Sequence, residues 1–367
     1  MVIIITFLLI LALPILLFMQ QASFGKVATG ERLNRILHSP NFRNEKFQNQ
    51  SFTPNLAEDV GIFEVLQNVL FNRSKRNKPN VALPSQKTNL LLLDPKKDLL
   101  VWFGHSSYLM QIDGKRILVD PVFSGNASPH SFMLQSFKGS DIYTVDEMPA
   151  IDYLIITHDH WDHLDYQTTI KLKPKVSEII TTLGTGAHLE YWGFDLERII
   201  ELDWNDRIDL GDGFIVTATP CRHFSGRKLK RNQAIWSSFV LQTPSKRIFI
   251  GGDSGYDTHF AKIGKDHGPF DLALLECGQY NNAWRYIHMM PEQTIQAAID
   301  LKAKILMPVH WAKFALALHA WDEPIERVTK EARRLNMPII HPMIGEEVNL
   351  NENRATTEWW KGIDVSD

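Results

Sequence analysis

Cysteine is nearly absent: Cys221 and Cys277 are the two in 367 residues, which excludes a disulfide scaffold and leaves room for one bridge at most. Charge of one sign is not in excess either, with 39 Lys and Arg against 42 Asp and Glu and a formal net charge of −3. The chain therefore has no global basic field to attract nucleic acid, and no nucleic-acid partner is expected. Internal repeats are also lacking. What is plentiful is apolar material, 44% of residues, enough for one large core or two smaller ones and too much for a wholly disordered chain. Histidine, with fourteen residues, is the type whose placement turns out to matter most.

No Lys or Arg precedes the apolar run at residues 2–19, which is broken by Thr6 and Pro14. As a helix it spans roughly 27 Å, close to the thickness of a hydrocarbon core. Residues 1–24 are therefore expected to form an N-terminal transmembrane anchor or a signal segment, with the membrane as a partner through residues 2–19. An uncleaved anchor is favoured, because residues 20–25 offer no small-x-small cleavage site. Lys26, Arg32 and Arg35 follow the run, so the positive-inside tendency puts the bulk of the chain on the cytoplasmic side. Cleavage would make the protein periplasmic or secreted.

Residues 25–97 are polar and punctuated and read as a tether with one short helix, 58–71. Its apolar positions Val60, Phe63, Val65, Leu66, Val69 and Leu70 recur near helical spacing, and that face is expected to dock on the main domain. After residue 97 the texture changes to short β-branched and aromatic runs at 99–103, 108–112, 117–119, 153–157, 214–219, 238–242, 247–250 and 272–275, which are expected strands. Helices are expected at 185–191, 291–302 and 323–335, the second opening on Pro291 and Glu292. This order suggests two sheets packed face to face with helices on their outer faces, in one domain over 98–350 followed by a tail at 351–367.

The histidines lie at the ends of those strands. Tyr153-Leu154-Ile155-Ile156 runs straight into Thr157-His158-Asp159-His160-Trp161-Asp162-His163, so five potential metal ligands arrive on one loop. In extended chain His158 and His160 project from one side, while Asp162 and His163 can turn toward a second ion. One loop rarely completes two coordination spheres. Further candidates follow apolar strands downstream: His223 after 214–220, Asp253 after 248–252 and His310 after 305–309. Each taken singly could be a turn aspartate or a core histidine; together they form a constellation.

On these residues the chain resembles the metallo-β-lactamase superfamily, and within it the N-acyl-phosphatidylethanolamine-hydrolysing phospholipase D group and its bacterial relatives. The resemblance to the group runs over 99–350. It rests on Trp102-Phe103-Gly104-His105-Ser106, Leu118-Val119-Asp120-Pro121, Gly251-Gly252-Asp253-Ser254-Gly255-Tyr256, Gly268-Pro269-Phe270-Asp271 and His310-Trp311-Ala312-Lys313-Phe314. Ser237 stands where relatives more often carry glycine. The resemblance implies an αββα sandwich, with His158, His160 and His223 on one ion, Asp162, His163 and His310 on a second, and Asp253 bridging them. Two such ions produce a hydroxide for attack on phosphorus or a carbonyl carbon. The nitrogen-rich, thiolate-free set suits two zinc ions, with iron or manganese as alternatives. Asp162 is also taken as a catalytic carboxylate. His288 matches a histidine near the reacting centre of the group, a general acid or substrate-orienting residue, with helix-start packing as its bland alternative.

His105 and Asp120 are expected to support ligands or turns, and Cys221 to be buried and inert, a bridge to Cys277 being the minor alternative. The basic cluster Arg222, Arg227, Lys228, Lys230 and Arg231 is by default a solvated loop; the sharper expectation is contact with phosphate headgroups. The implied function is a membrane-anchored hydrolase of phosphodiester bonds, acting on N-acylated or related phospholipids. The alternatives are a lactonase of the ascorbate-6-phosphate lactonase type and a non-enzymatic, membrane-tethered metal-binding protein.

Overall fold

The computed structural model describes residues 14, 17–352 and 356–363. A small hairpin, β1 (Phe42–Arg43) with β2 (Lys46–Phe47), precedes the main body. There β3 (Leu99–Trp102), β4 (Tyr108–Ile112), β5 (Lys115–Val119), β6 (Ile151–Ile156), β7 (Val176–Thr182) and β8 (Ile199–Leu202) build a first sheet. A second follows from β9 (Arg207–Asp209), β10 (Ile215–Thr219), β11 (Ser238–Gln242), β12 (Arg247–Ile250), β13 (Leu272–Glu276) and β14 (Leu306–Val309). The last strand, β15 (Glu347–Asn349), returns to the first sheet. The orders are β15-β3-β4-β5-β6-β7-β8 and β14-β13-β12-β11-β10-β9.

The strands are apolar almost throughout because both faces of each sheet are covered. Along β3 and β4, Leu100, Trp102 and Met110 point between the sheets, where they meet Val216, Phe239 and Phe249 of the second. Their neighbours Leu99, Val101 and Leu109 point the other way, onto a separate cluster completed by Leu172, Leu189 and Trp192 from the helices Tyr166–Leu172 and Gly186–Tyr191 and the turn after them. That alternation is the two-residue period of a pleated strand, and it yields the layered α/β sandwich. The helices His259–Asp266, Pro291–Asp300 and Glu323–Leu335 add Phe260, Ile295, Ala298, Ile325 and Val328 to the core shared with the second sheet.

The expected N-terminal anchor is corrected. Among the described residues no helix is long and apolar enough to cross a membrane, so a single-pass span through residues 2–19, and the membrane localisation read from it, are not supported. Residues 2–13, 15 and 16 of that stretch lie outside the described residues. At the end of the run Leu17 is exposed and Phe18 meets the domain. Phe18 stacks on His130 with ring centroids 4.2 Å apart, and Phe24, on a short turn that follows, packs edge-on against Trp161.

Residues 22–97 are tied to the domain by specific contacts. Ile36 and Phe47 are buried with Trp204, Ile235 and Trp236, Arg32 pairs with Glu190 and Glu201, and the Leu83 amide bonds Lys138 O. The expected helix exists as Ile62–Phe71, but it buries none of its residues: Phe63 is 84% and Leu70 70% exposed. Among the described residues its apolar face meets no partner that buries it. Its flanks dock, through the Ala57 amide to Ala283 O and the Ser74 amide to Leu318 O.

Candidate metal centre

The strand β6 is buried to its end and hands over directly to the loop 157–164, whose polar groups are almost all enclosed. Enclosed polar atoms need partners, and here they have them. Asp120, just past β5, accepts the amide of Thr157 at 2.9 Å, its hydroxyl at 2.6 Å and Nδ1 of His163 at 2.8 Å. Since the Thr157 hydroxyl donates to Asp120, its oxygen must accept from Nδ1 of His158, 3.1 Å away. One carboxylate thus engages Nδ1 of two imidazoles and turns their Nε2 atoms inward, that of His158 to 2.9 Å from His160 Nδ1 and that of His163 to 3.2 Å from Asp253 Oδ2. The same logic holds for His223 beyond β10: its Nδ1 lies 2.8 Å from Ile287 O, which can only accept, so Nε2 carries the lone pair.

These nitrogens converge with the carboxylates. His158, His160, His223 and Asp253 form one group in which the candidate ligand atoms all lie within 4.8 Å of one another; His105, Asp162, His163 and His310 form a second. The loop therefore divides as its spacing suggests, His158 and His160 to one side, Asp162 and His163 to the other. Asp253 touches both groups, with Oδ2 3.7 Å from His223 Nε2 and 3.2 Å from His163 Nε2. It reaches this position because Gly251 and Gly252 follow β12: a Cβ on Gly251 would sit 2.6 Å from Leu274 O, and Gly252 has φ +60°.

The donor set fits divalent cations. Among the described residues, His310 Nε2 and Asp253 Oδ1 are buried and lack a hydrogen-bond partner, a costly state that a cation relieves. Burial holds His158, His223 and His310 well below the usual imidazole range, hence neutral and able to ligate. Burial opposes ionisation of Asp253 too, but the imidazoles of His163 and His310 outweigh it and keep that carboxyl well below its ordinary value. His163 is the exception among these four histidines: burial is overcome by Asp253, Asp162 and Asp120, and it is pushed well up. Negative field converges on that spot, as it does around a cation site. His105, Asp120, His310 and Ala312 all carry positive φ, from 39° to 69°, so non-glycine backbone strain gathers at this centre.

Several residues take places that spacing did not assign. His105 is fully enclosed and puts Nε2 2.9 Å from Asp162 Oδ2. Arg227, from the basic cluster, turns inward: its guanidinium donates to Asp159 O and Leu164 O at 3.0 and 2.7 Å and lies 3.7 Å over the Trp161 ring. It braces the ligand loop. Arg222 is held by Thr53 and Phe52 O, while Lys230 and Arg231 stay exposed. Cys221 and Cys277 are free and buried, so the alternative of a bridge falls, and burial pushes both thiols well up.

Both groups open onto a cavity of about 380 Å³. Leu56, Phe224, Trp284, Ile287 and Leu316 give it apolar walls, Arg231 and His288 polar points. His288 Nδ1 lies 2.6 Å from Glu276 Oε2. Burial disfavours charge on that imidazole, but Glu276 prevails and raises it to about 9.

A family model described as a beta-lactamase superfamily domain matches residues 115–311. The chain is 38% identical to an uncharacterized protein of Mycobacterium tuberculosis, over 88% of each. It is 25% identical to an N-acyl-phosphatidylethanolamine-hydrolyzing phospholipase D of Caenorhabditis elegans, over 75% of this chain and 83% of that one. Among solved structures, Igni18, a metallo hydrolase from the archaeon Ignicoccus hospitalis, matches with a TM-score of 0.54 at 21% identity, covering 69% of this chain and 98% of its own. That last likeness is one of fold.

Proposed function

The chain belongs to the metallo-β-lactamase superfamily and is a metal-dependent hydrolase, and from that premise we propose that it cleaves phosphodiester bonds in N-acyl-phosphatidylethanolamine or related phospholipids. The observation that carries the proposal is the join between the two ligand groups and the cavity above them. Apolar walls suit an acyl or glyceride chain, and an exposed guanidinium at Arg231 suits a phosphate. The relative in Caenorhabditis elegans is named for this activity.

We assign His158, His160 and His223 to one ion, Asp162, His163 and His310 to a second, and Asp253 to both, with zinc as the metal this donor set suits best and iron or manganese as alternatives. When bound, two divalent cations lower the pKa of water toward neutrality and offset charge that builds on an attacked phosphoryl oxygen. The remaining work falls to the chain itself. Asp120 keeps Nε2 of His158 and His163 aimed inward. Asp162 lines the cavity with Oδ2 tied to His105, and its other oxygen orients the attacking water. His288, on the cavity wall, gives a proton to the departing oxygen.

The test is zinc-reconstituted protein assayed on a phospholipid panel, a chromogenic diester and a lactone, beside His160→Ala. Turnover of diesters by the wild type, abolished in the variant with little change in its melting temperature, is the expected result. Full activity in the variant rejects the ligand assignment; hydrolysis of the lactone alone rejects the phosphodiester reading.

A further inference from the structure

Glu276 ends β13 and is completely enclosed. Its position as the last residue of a buried strand would ordinarily take an apolar side chain, since an isolated carboxylate there is expensive. Both of its oxygens are engaged. Oε1 accepts the amides of Ser254 and Met289, each at 3.0 Å, and Oε2 accepts Nδ1 of His288 at 2.6 Å. The two amides belong to the residues that directly follow Asp253 and His288. A single side chain therefore fixes the loop that carries the shared carboxylate ligand and the ring on the cavity wall relative to one another.

The tautomer follows from the same contacts. With Ser254 and Met289 donating to Oε1, the ionised carboxylate also accepts at Oε2, and in that state Nδ1 of His288 carries hydrogen. The ring nitrogen left for the cavity is Nε2. The ring centroid stands 5.0 Å from that of His223 and 5.4 Å from that of His310, and His288 and Glu276 cluster with Asp253 and His310, beside the two groups assigned to the ions.

We propose that Glu276 is a positioning residue for hydrolysis: it locks the His288 ring so that Nε2 meets the oxygen that departs. The inference rests on the phosphodiesterase reading above and deepens it. As water adds its oxygen to phosphorus and releases one proton to solvent in the cavity, the bond from phosphorus to the leaving oxygen breaks. That oxygen keeps the electron pair and takes the Nε2 proton, and His288 retains hydrogen on Nδ1.

Glu276→Gln keeps the shape and loses the negative acceptor. It is assayed on two diesters that share one acyl side, one releasing an alkoxide and one releasing p-nitrophenolate, which departs without a proton. The variant is expected to lose about 100-fold in kcat on the alkoxide diester, the usual scale of general-acid help, with KM and metal content unchanged and little loss on the nitrophenyl diester. Equal losses on both substrates, or none on either, overturn the positioning role. A second arm needs no turnover: nitrogen-15 histidine spectra of the zinc-loaded protein should show hydrogen on Nδ1 of His288 in the wild type. Hydrogen on Nε2 alone overturns the inference. If the wild type cleaves neither diester the phosphodiesterase reading fails, while the spectra still decide the role of Glu276 at His288.

Discussion

The loop 157–164 and the helix Ile62–Phe71 invert the usual relation between polarity and burial. The loop is dense in histidine and aspartate and is almost wholly enclosed; the helix is apolar at Ile62, Phe63, Leu66, Leu70 and Phe71 and presents those residues to solvent. Both are anchored to the same domain. The loop stays inside because partners exist for its groups: Asp159 accepts from the Gly226 amide and faces His188 Nε2, Asp120 receives His163, and Arg227 caps two of its carbonyls. The helix is held by the chain on either side of it and, among the described residues, none of its side chains is buried. Burial is decided by available partners, and side-chain type alone does not supply them.

The comparison breaks most sharply within the N-terminal segment itself, where Phe47 is fully buried beside Trp236 only fifteen residues before that helix begins. Phe47→Ala should cost about 3–5 kcal/mol in denaturant unfolding, as emptying a packed aromatic site does; a cost below about 1 kcal/mol would show the segment to be loosely applied. Next in size is the loop's own support. Asp120→Asn should weaken metal binding roughly 10- to 100-fold, the usual effect of losing a ligand's hydrogen-bond partner, read by competition with a chelator. Unchanged affinity would mean that the rings of His158 and His163 are oriented by other groups. The smallest effect sharpens the contrast: Phe63→Ser should move stability by about 0.5 kcal/mol or less, and a loss above about 2 kcal/mol would place that ring in a contact.

What could be read in advance follows the same division. The candidates His158, His160, Asp162, His163, His223, Asp253 and His310 stand out because they lie on loops that follow apolar strands, where a sheet delivers side chains to a common edge, and the structure brings them together; their role as ligands is a proposal. The strands 108–112, 238–242 and 247–250 were legible from β-branched and aromatic runs and match β4, β11 and β12. β7 was not singled out, because Val176-Ser177-Glu178 opens it with a polar stretch and its apolar residues come late. Arg227 read as solvated because its neighbours are Lys228 and Lys230, and nothing local announces that Trp161 offers a face for its guanidinium. Glu276 was invisible for a related reason: its partners Ser254, His288 and Met289 come from two other segments. The transmembrane expectation rested on hydropathy, and among the described residues no helix is long and apolar enough to cross a membrane.

The central claim is that the two groups of histidine and aspartate grip a pair of cations across Asp253. Elemental analysis of zinc-reconstituted, desalted protein tests it most directly. The account predicts two equivalents per chain, with a loss in Asp253→Ala that exceeds one equivalent. A wild type retaining one equivalent or less, or an Asp253→Ala variant that still holds two, would contradict it.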